Sequence, residues 1–188
     1  MIQDLFARTR TAILQEIGAT LDTVLSRDVE VLIDELVKAR QIFCVGAGRS
    51  GILLSTFCMR LNHLGRSAYM AGGLPCPPAG RGDLIVAASG SGKSGSVNSV
   101  LKTARAAGAH VVMFTASNAD PSSLEADCII RVSAPTGLVN KDETRSLQPM
   151  RSLFEQSVFI ACEAIVSILK DKMGMQEETM ANRHANLE

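Results

Sequence analysis

The feature that most constrains the fold is a regular alternation of short apolar runs with stretches of helical spacing. Five runs are predicted as strands, at 41–45, 67–70, 83–88, 110–114 and 128–132. The helical stretches between them extend to about 64, over 95–107 and, briefly, near 121–125. Short strands that read as continuous apolar runs are typical of a parallel sheet covered on both faces. The alternation therefore predicts a five-stranded parallel sheet between two layers of helices.

Two further helices are predicted before the first strand, at 2–25 and 27–39, because apolar residues recur there every three or four positions. The longest late helix is predicted at 149–173, and Gly174 supplies its end. A chain of 188 residues is long enough for one domain with a full core. We predict a single α/β domain, a three-layer αβα sandwich of the flavodoxin or Rossmann type. Its parts are the leading helices at 1–39, the α/β core at 40–174 and a polar tail at 175–188.

Composition argues against several classes of partner. Nineteen basic residues balance nineteen acidic ones, so no overall charge draws the chain to nucleic acid or to an anionic membrane. There is no Trp and one Tyr, which disfavours a stacking surface for single strands. The five cysteines show no CxxC spacing, and we predict no metal site. The first residues lack an uninterrupted apolar segment, so we expect a cytoplasmic protein.

Two glycine-rich turns follow the first and third predicted strands, where ligands of open parallel sheets bind. The first turn reads GAGRSG at 46–51 and leads into a helix, an arrangement that suits an anion. It also matches the dinucleotide pattern, which requires an acidic residue at the end of the second strand. That strand ends at 68–71 with the sequence AYMA, so dinucleotide binding is the weaker interpretation.

The second turn reads SGSGKSGS at 89–96 and contains four serines in eight residues. Its Gly-Lys-Ser resembles a nucleotide-binding P-loop, but the first glycine of that motif would fall at Ala87. Hydroxyls and backbone amides in such a turn can supply several neutral donors to one phosphate. We predict a phosphate site here, and a flexible Gly/Ser turn is the alternative.

Four segments carry a resemblance to a known family: VGAGRSG at 45–51, MRLNHLG at 59–65, GDLIVAASGSG at 82–92 and RHANLE at 183–188. The chain resembles the 6-phospho-3-hexuloisomerases, which belong to the sugar isomerase, or SIS, domain group. The resemblance implies interconversion of 3-hexulose 6-phosphate and fructose 6-phosphate, in the ribulose monophosphate route of formaldehyde fixation. It also implies a homotetramer built from dimers, with sites at subunit interfaces and without metal or cofactor.

The resemblance further implies which residues form the site. Serines of the two turns would bind the phosphate, namely Ser50, Ser89, Ser91 and Ser94. Gly48, Gly90 and Lys93 complete the predicted phosphate-binding set. Lys93 stands where the family commonly has an acidic residue, and Arg151 stands where it commonly has glycine.

Three residues are predicted to perform the chemistry, again by resemblance. Glu155 would move a proton, Arg49 would stabilise the enediolate oxygen, and His184 would enter the site from the tail of a neighbouring subunit. Glu155 has an alternative role, because Ser152 and Glu155 have the spacing of a helix capping box. Two other functions stay open: another SIS aldose–ketose isomerase, of the arabinose 5-phosphate type, and a non-catalytic sugar-phosphate sensor.

Overall fold

The structure is a computed structural model, and it describes residues 1–135, 146–150 and 152–186. The strands are β1 (Ile42–Gly46), β2 (Ala68–Met70), β3 (Leu84–Ala88), β4 (His110–Thr115) and β5 (Cys128–Arg131). The helices are α1 (Ile2–Leu21), α2 (Ser26–Lys38), α3 (Arg49–His63), α4 (Gly95–Ala106), α5 (Ser152–Lys172) and α6 (Glu177–Ala181), with a 3-10 turn at Pro121–Leu124.

The five strands form one sheet in the order β2-β1-β3-β4-β5, and all four pairings are parallel. The predicted α/β sandwich is therefore confirmed. Every residue of β3 is buried, as expected for a central strand with helices on both faces. The sheet order changes direction at β1 and β3, whose pairing places Gly46 beside Ala88 at the carboxyl edge. That edge is where a sheet of this topology binds its ligands.

Two apolar clusters fill the space above and below the sheet. The larger joins the sheet to α1, α2, α3 and α5, and its largest fully buried side chains include Phe57, Phe114 and Phe154. The smaller lies under α4 and the 3-10 turn and contains Leu101 and Leu124. Helix α5 belongs to the larger cluster. It is long and apolar enough to span a membrane by length and composition alone, but half of the relevant residues are buried within the domain.

The helices differ from the predictions in two boundaries and in one additional helix. Helix α1 ends at Leu21, because the chain turns there and Leu25 becomes extended before α2. Helix α5 begins at Ser152, since Met150 has a left-handed φ of 58° that helical backbone does not allow. The tail contains the short helix α6, whose Glu177 forms an ion pair with Lys170 of α5 at 2.5 Å. The sequence did not predict this helix, because its residues are mostly polar and show no apolar periodicity. It begins with acidic residues, which favour a helix start.

Candidate active site

The two glycine-rich turns lie side by side at the carboxyl edge of β1 and β3. Three helices begin at the same place: α3 follows the first turn, α4 follows the second, and α5 begins with Glu155 in its first turn. Helix N-termini present unpaired N–H groups and a partial positive charge. Their convergence produces a local preference for an anion in a chain whose overall charge is zero.

These elements enclose a cleft of about 410 Å³. Its walls come from the first turn, the second turn and the start of α5. The lining residues are Ala47, Ser50, Ala88, Ser89, Gly90, Ser91, Lys93, Ser94, Phe154 and Glu155. The lining contains hydroxyl groups, one ammonium group and one carboxylate. A cleft of this size and chemistry suits a small phosphorylated metabolite.

The first turn depends on two glycines that face each other. A Cβ atom on Gly46 would lie 2.7 Å from the backbone nitrogen of Gly51, and one on Gly51 would lie 2.7 Å from the carbonyl oxygen of Gly46. Gly48 has a φ of 56° and is the N-cap of α3. This close backbone contact places Arg49 and Ser50 at the start of α3, and Ser50 is buried at the cleft wall.

The second turn is held from below by side chains that the sequence did not reveal as part of the site. The buried Thr115 hydroxyl donates to the carbonyl oxygen of Ser89 at 2.8 Å and lies 3.3 Å from that of Gly90. The Asn98 amide donates to the carbonyl oxygen of Gly92 at 3.1 Å. These contacts draw the carbonyl groups of the turn toward the protein. The amides of Ser89, Gly92 and Lys93 donate within the protein as well, so the serine hydroxyls are the main donors that the turn offers to an anion. The signal for Thr115, a polar residue ending an apolar strand, is too common to be diagnostic.

Arg49 and Glu155 meet across the mouth of the cleft, 106 positions apart in sequence. The Arg49 Nε donates to Glu155 Oε2 in a short ion pair. The Glu155 side chain is 14% exposed, whereas that of Arg49 is 65% exposed. The carboxylate is thus enclosed by protein, and its partner reaches in from solvent. The Glu155 carboxylate is directed toward the start of α3.

The structure brings together most of the residues predicted for the site. Ser50, Ser89, Gly90, Ser91, Lys93, Ser94 and Glu155 line the cleft, and Arg49 contacts Glu155. Gly48 shapes the turn from beside the cleft. Arg151 lies outside the described residues. Ala47, Ala88 and Phe154 were not predicted, since small or apolar residues next to a motif carry no chemical signal of their own.

His184 lies far from the cleft of its own chain. Its ring centroid is 5.2 Å from that of His63, the last residue of α3, whereas Arg49 is the first. The helix separates these two ends by about 20 Å. The neighbouring Arg183 donates to the backbone oxygen of His63 at 3.2 Å, which holds this part of the tail. The tail therefore contributes no residue to its own cleft between 175 and 186, and delivery of His184 to a neighbouring subunit stays a prediction.

The geometry limits what the cleft can do chemically. It offers neutral donors for a phosphate, one carboxylate able to move a proton and one guanidinium able to stabilise an oxyanion. Within the described ranges, no three His, Cys, Asp or Glu side chains are grouped so that they could hold a metal ion. These parts suffice for a reaction that shifts a proton between neighbouring carbons of a phosphorylated substrate.

Comparisons with known proteins show which family the chain belongs to. The SIS domain family matches residues 35–159. A Bacillus subtilis protein named 3-hexulose-6-phosphate isomerase is 34% identical, over 94% of this chain and 95% of its own. A Mycobacterium gastri protein of the same name is 34% identical, and the match covers 100% of this chain and 94% of that protein.

A solved structure from Methanococcus jannaschii, for which a molecular function of 3-hexulose-6-phosphate isomerase was inferred, superposes with a TM-score of 0.83. It is 27% identical, and the match covers 96% of this chain and 99% of that one. The relatives thus extend over the leading helices and the tail as well as the sheet. The chain therefore belongs to the SIS domain family and, within it, to the family of 3-hexulose-6-phosphate isomerases.

Proposed function

We propose that this isomerase interconverts 3-hexulose 6-phosphate and fructose 6-phosphate through a 2,3-enediol, as a step of the ribulose monophosphate route in the cytoplasm. The observation that carries the proposal is that the enclosed Glu155 carboxylate and a turn rich in phosphate donors line one cleft. The names of the relatives supply the substrate. We propose no metal or cofactor for this reaction.

The phosphate is proposed to lie on the second turn, against Ser89, Ser91 and Ser94 at the start of α4. Ser50 closes the same wall from the start of α3. Lys93 is exposed and adds a charge to an otherwise neutral set of donors. Anchoring the phosphate at one end of a short chain fixes the carbonyl end near Arg49 and Glu155.

Glu155 is proposed to transfer the proton between the two carbons. From the 3-ketose, the carboxylate removes the proton on C2, and the electron pair of that bond forms the C2–C3 double bond of the enediolate. The Glu155 carboxylic acid returns the proton to C3. The C2 hydroxyl gives up its proton as the C2 carbonyl forms, and that proton passes through solvent water to the C3 oxyanion, which becomes the C3 hydroxyl. Arg49 stabilises the oxyanion of the intermediate, a contribution of about 3–4 kcal/mol for one well-placed donor.

A homodimer is proposed to form through the exposed apolar face beside the site. This face includes Ile52 and Met59 of α3, which are 68% and 44% exposed, and Phe159 of α5. A groove of about 350 Å³ connects the face directly to Arg49 and Glu155. An exposed patch of this kind, continuous with a polar site, is typical of an association surface. Two such dimers would give the homotetramer, and an apolar groove on the far side of the sheet, near Pro77 and Pro78, supports that second contact.

Two-fold symmetry would bring the tail of one subunit to the cleft of the other. If α3 packs antiparallel against its symmetry mate, its last residue lies opposite the first residue of the partner helix. His184, next to His63, would then approach the partner's copy of the Arg49–Glu155 pair. Its proposed task is to assist ring opening of fructose 6-phosphate, which is mostly cyclic, whereas the 3-ketose has its C6 hydroxyl blocked by phosphate and cannot close a five-membered ring.

Subunit mixing tests this arrangement. We expect Glu155→Gln and His184→Ala homomers each to convert fructose 6-phosphate poorly, and their mixture to regain activity after subunit exchange. In a hybrid dimer one cleft carries both substitutions and the other is intact, so about a quarter of all clefts recover in an equal mixture. If the mixture is no more active than the sum of its parts, His184 does not act in a neighbouring cleft.

Isotope exchange separates the proposed reaction from its two rivals. Fructose 6-phosphate is incubated with the protein in deuterated water, and deuterium is located on the sugar by NMR. A 2,3-enediol places deuterium on C3 of the recovered fructose 6-phosphate and on C2 of the 3-ketose, whereas an aldose–ketose isomerase places it on C1 of fructose 6-phosphate. Binding of the sugar without exchange or conversion indicates a sensor. Only C3 labelling, together with formation of the 3-ketose, agrees with the proposal.

A further inference from the structure

The leading helix α1 provides a carboxylate that reaches the segment just before α5. Glu16 accepts three hydrogen bonds there: from the Ser146 hydroxyl at 2.7 Å, the Leu147 amide at 2.9 Å and the Gln148 side-chain amide at 3.0 Å. All three partners are donors, and together they use both carboxylate oxygens. Burial alone would raise the pKa of Glu16, but the bonds from Leu147, Ser146 and Gln148 lower it below its ordinary value.

The chain of contacts continues from Glu16 to the residue beside Glu155. Gln148 is 6% exposed, and its side-chain oxygen accepts a hydrogen bond from the Gln156 amide in the first turns of α5. The Gln148 backbone amide also donates to the Ser146 hydroxyl at 3.0 Å. A buried amide with both ends bonded transmits position well, because its rotamer is fixed.

The segment between these contacts needs such an anchor. Met150 has a left-handed φ of 58°, a conformation that is unfavourable for a long side chain and that persists only where surrounding contacts enforce it. Ser152 follows at the start of α5, and its amide donates to the Pro149 carbonyl oxygen at 3.2 Å. The direction of this turn sets the direction of the first turn of α5, and therefore of the Glu155 carboxylate.

We infer that Glu16 is a positioning residue for the reaction, which acts through Gln148 and Gln156 to hold Glu155 at the cleft. The inference rests on the proposed function, since it assigns Glu155 the proton transfer. The phosphate turns belong to β1, β3, α3 and α4 and receive no contact from Glu16 within the described residues. The position of Glu155 can thus be disturbed without loss of the phosphate site.

The test is an exchange of the carboxylate and the amide between two positions. Glu16→Gln places an amide against three donors, and Gln148→Glu places two carboxylates together. We expect each single variant to lower kcat by about 10- to 100-fold, with KM for the sugar phosphate within about twofold, as for a misplaced catalytic group. The double variant restores one carboxylate and one amide, and it is expected to regain most of the lost kcat. Asp4→Asn removes a carboxylate at the far end of α1 and is the control that leaves kcat unchanged.

Amide hydrogen exchange over 156–160, where the amides of α5 begin to be bonded within the helix, supplies a readout that needs no substrate. We expect faster exchange there in both single variants, and wild-type protection in the double variant and in Asp4→Asn. Equal protection in all variants, or a kcat of Glu16→Gln within twofold of an active wild type, would overturn the inference. A wild type that lacks isomerase activity would instead contradict the proposed function, and the exchange data would still decide whether Glu16 positions the start of α5.

Discussion

Glu155→Gln is expected to lower kcat by about 10³-fold, within the range found when a general base is removed. The amide keeps the size of the side chain but cannot accept the carbon-bound proton. The proposed phosphate contacts are made by Ser50 and the second turn and do not include Glu155, so binding of fructose 6-phosphate should survive. The fold should survive as well, because the lost ion pair is with an Arg49 side chain that is 65% exposed, and such pairs contribute at most about 1 kcal/mol.

The measurements for this variant are kcat, the dissociation constant of fructose 6-phosphate and the midpoint of thermal unfolding. Glu163→Gln is the matched control, since Glu163 lies two turns further along α5 and away from the cleft. The control should retain full kcat. If Glu155→Gln also retains kcat, Glu155 serves the start of the helix rather than the chemistry, and another group must transfer the proton.

Gly46→Ala is expected to destabilise the protein by about 1–3 kcal/mol, the usual effect of overpacking a tight contact. The added methyl group would stand 2.7 Å from the Gly51 nitrogen and 2.8 Å from the Ser50 carbonyl carbon. These are backbone atoms, so relief requires α3 to move away from β1. That movement would displace both Arg49 and Ser50, and we expect kcat/KM to fall by about 100-fold.

A second glycine provides the control for this variant. Gly18 lies inside α1 with open space around its Cβ position, so Gly18→Ala should stabilise the protein by about 0.5–1 kcal/mol and leave kcat/KM unchanged. Gly51→Ala meets the same contact from the other side and should behave like Gly46→Ala. The free energies of unfolding of the wild type and of the three glycine variants are measured by urea denaturation. A Gly46→Ala protein with native stability and native kcat/KM would show that the close approach of Gly46 and Gly51 within the first turn is not needed.

The sheet was predictable because its strands are short, apolar and separated by helices of ordinary length. Strands β3 and β4 were predicted almost to the residue, since Asp83 and Gly108 mark clear boundaries. The two turns were predictable for the same reason: glycine and serine directly after an apolar strand have few structural explanations. The start of α5 was harder to predict, because no sequence pattern indicates the left-handed conformation of Met150.

The parts of the site that depend on distant contacts could not be predicted by reading along the chain. Glu16 and Gln148 are 132 positions apart, and neither has an unusual sequence context. Thr115 supports the second turn from a neighbouring strand, which becomes visible only when β3 and β4 are paired. His184 is a related case, since within one chain its ring lies near His63 and not at the cleft. Its proposed role needs a second subunit.

The central claim is that the second turn fixes the phosphate while Glu155 faces the reacting carbons. The most direct measurement is a crystal structure of the protein with fructose 6-phosphate, or with a stable open-chain analogue. We predict phosphate oxygens within about 3 Å of hydroxyl or amide donors at 89–94, with a Glu155 oxygen directed at the hydrogen on C3. A phosphate bound at any other place, or a sugar whose C2 and C3 lie beyond reach of Glu155, would contradict the account.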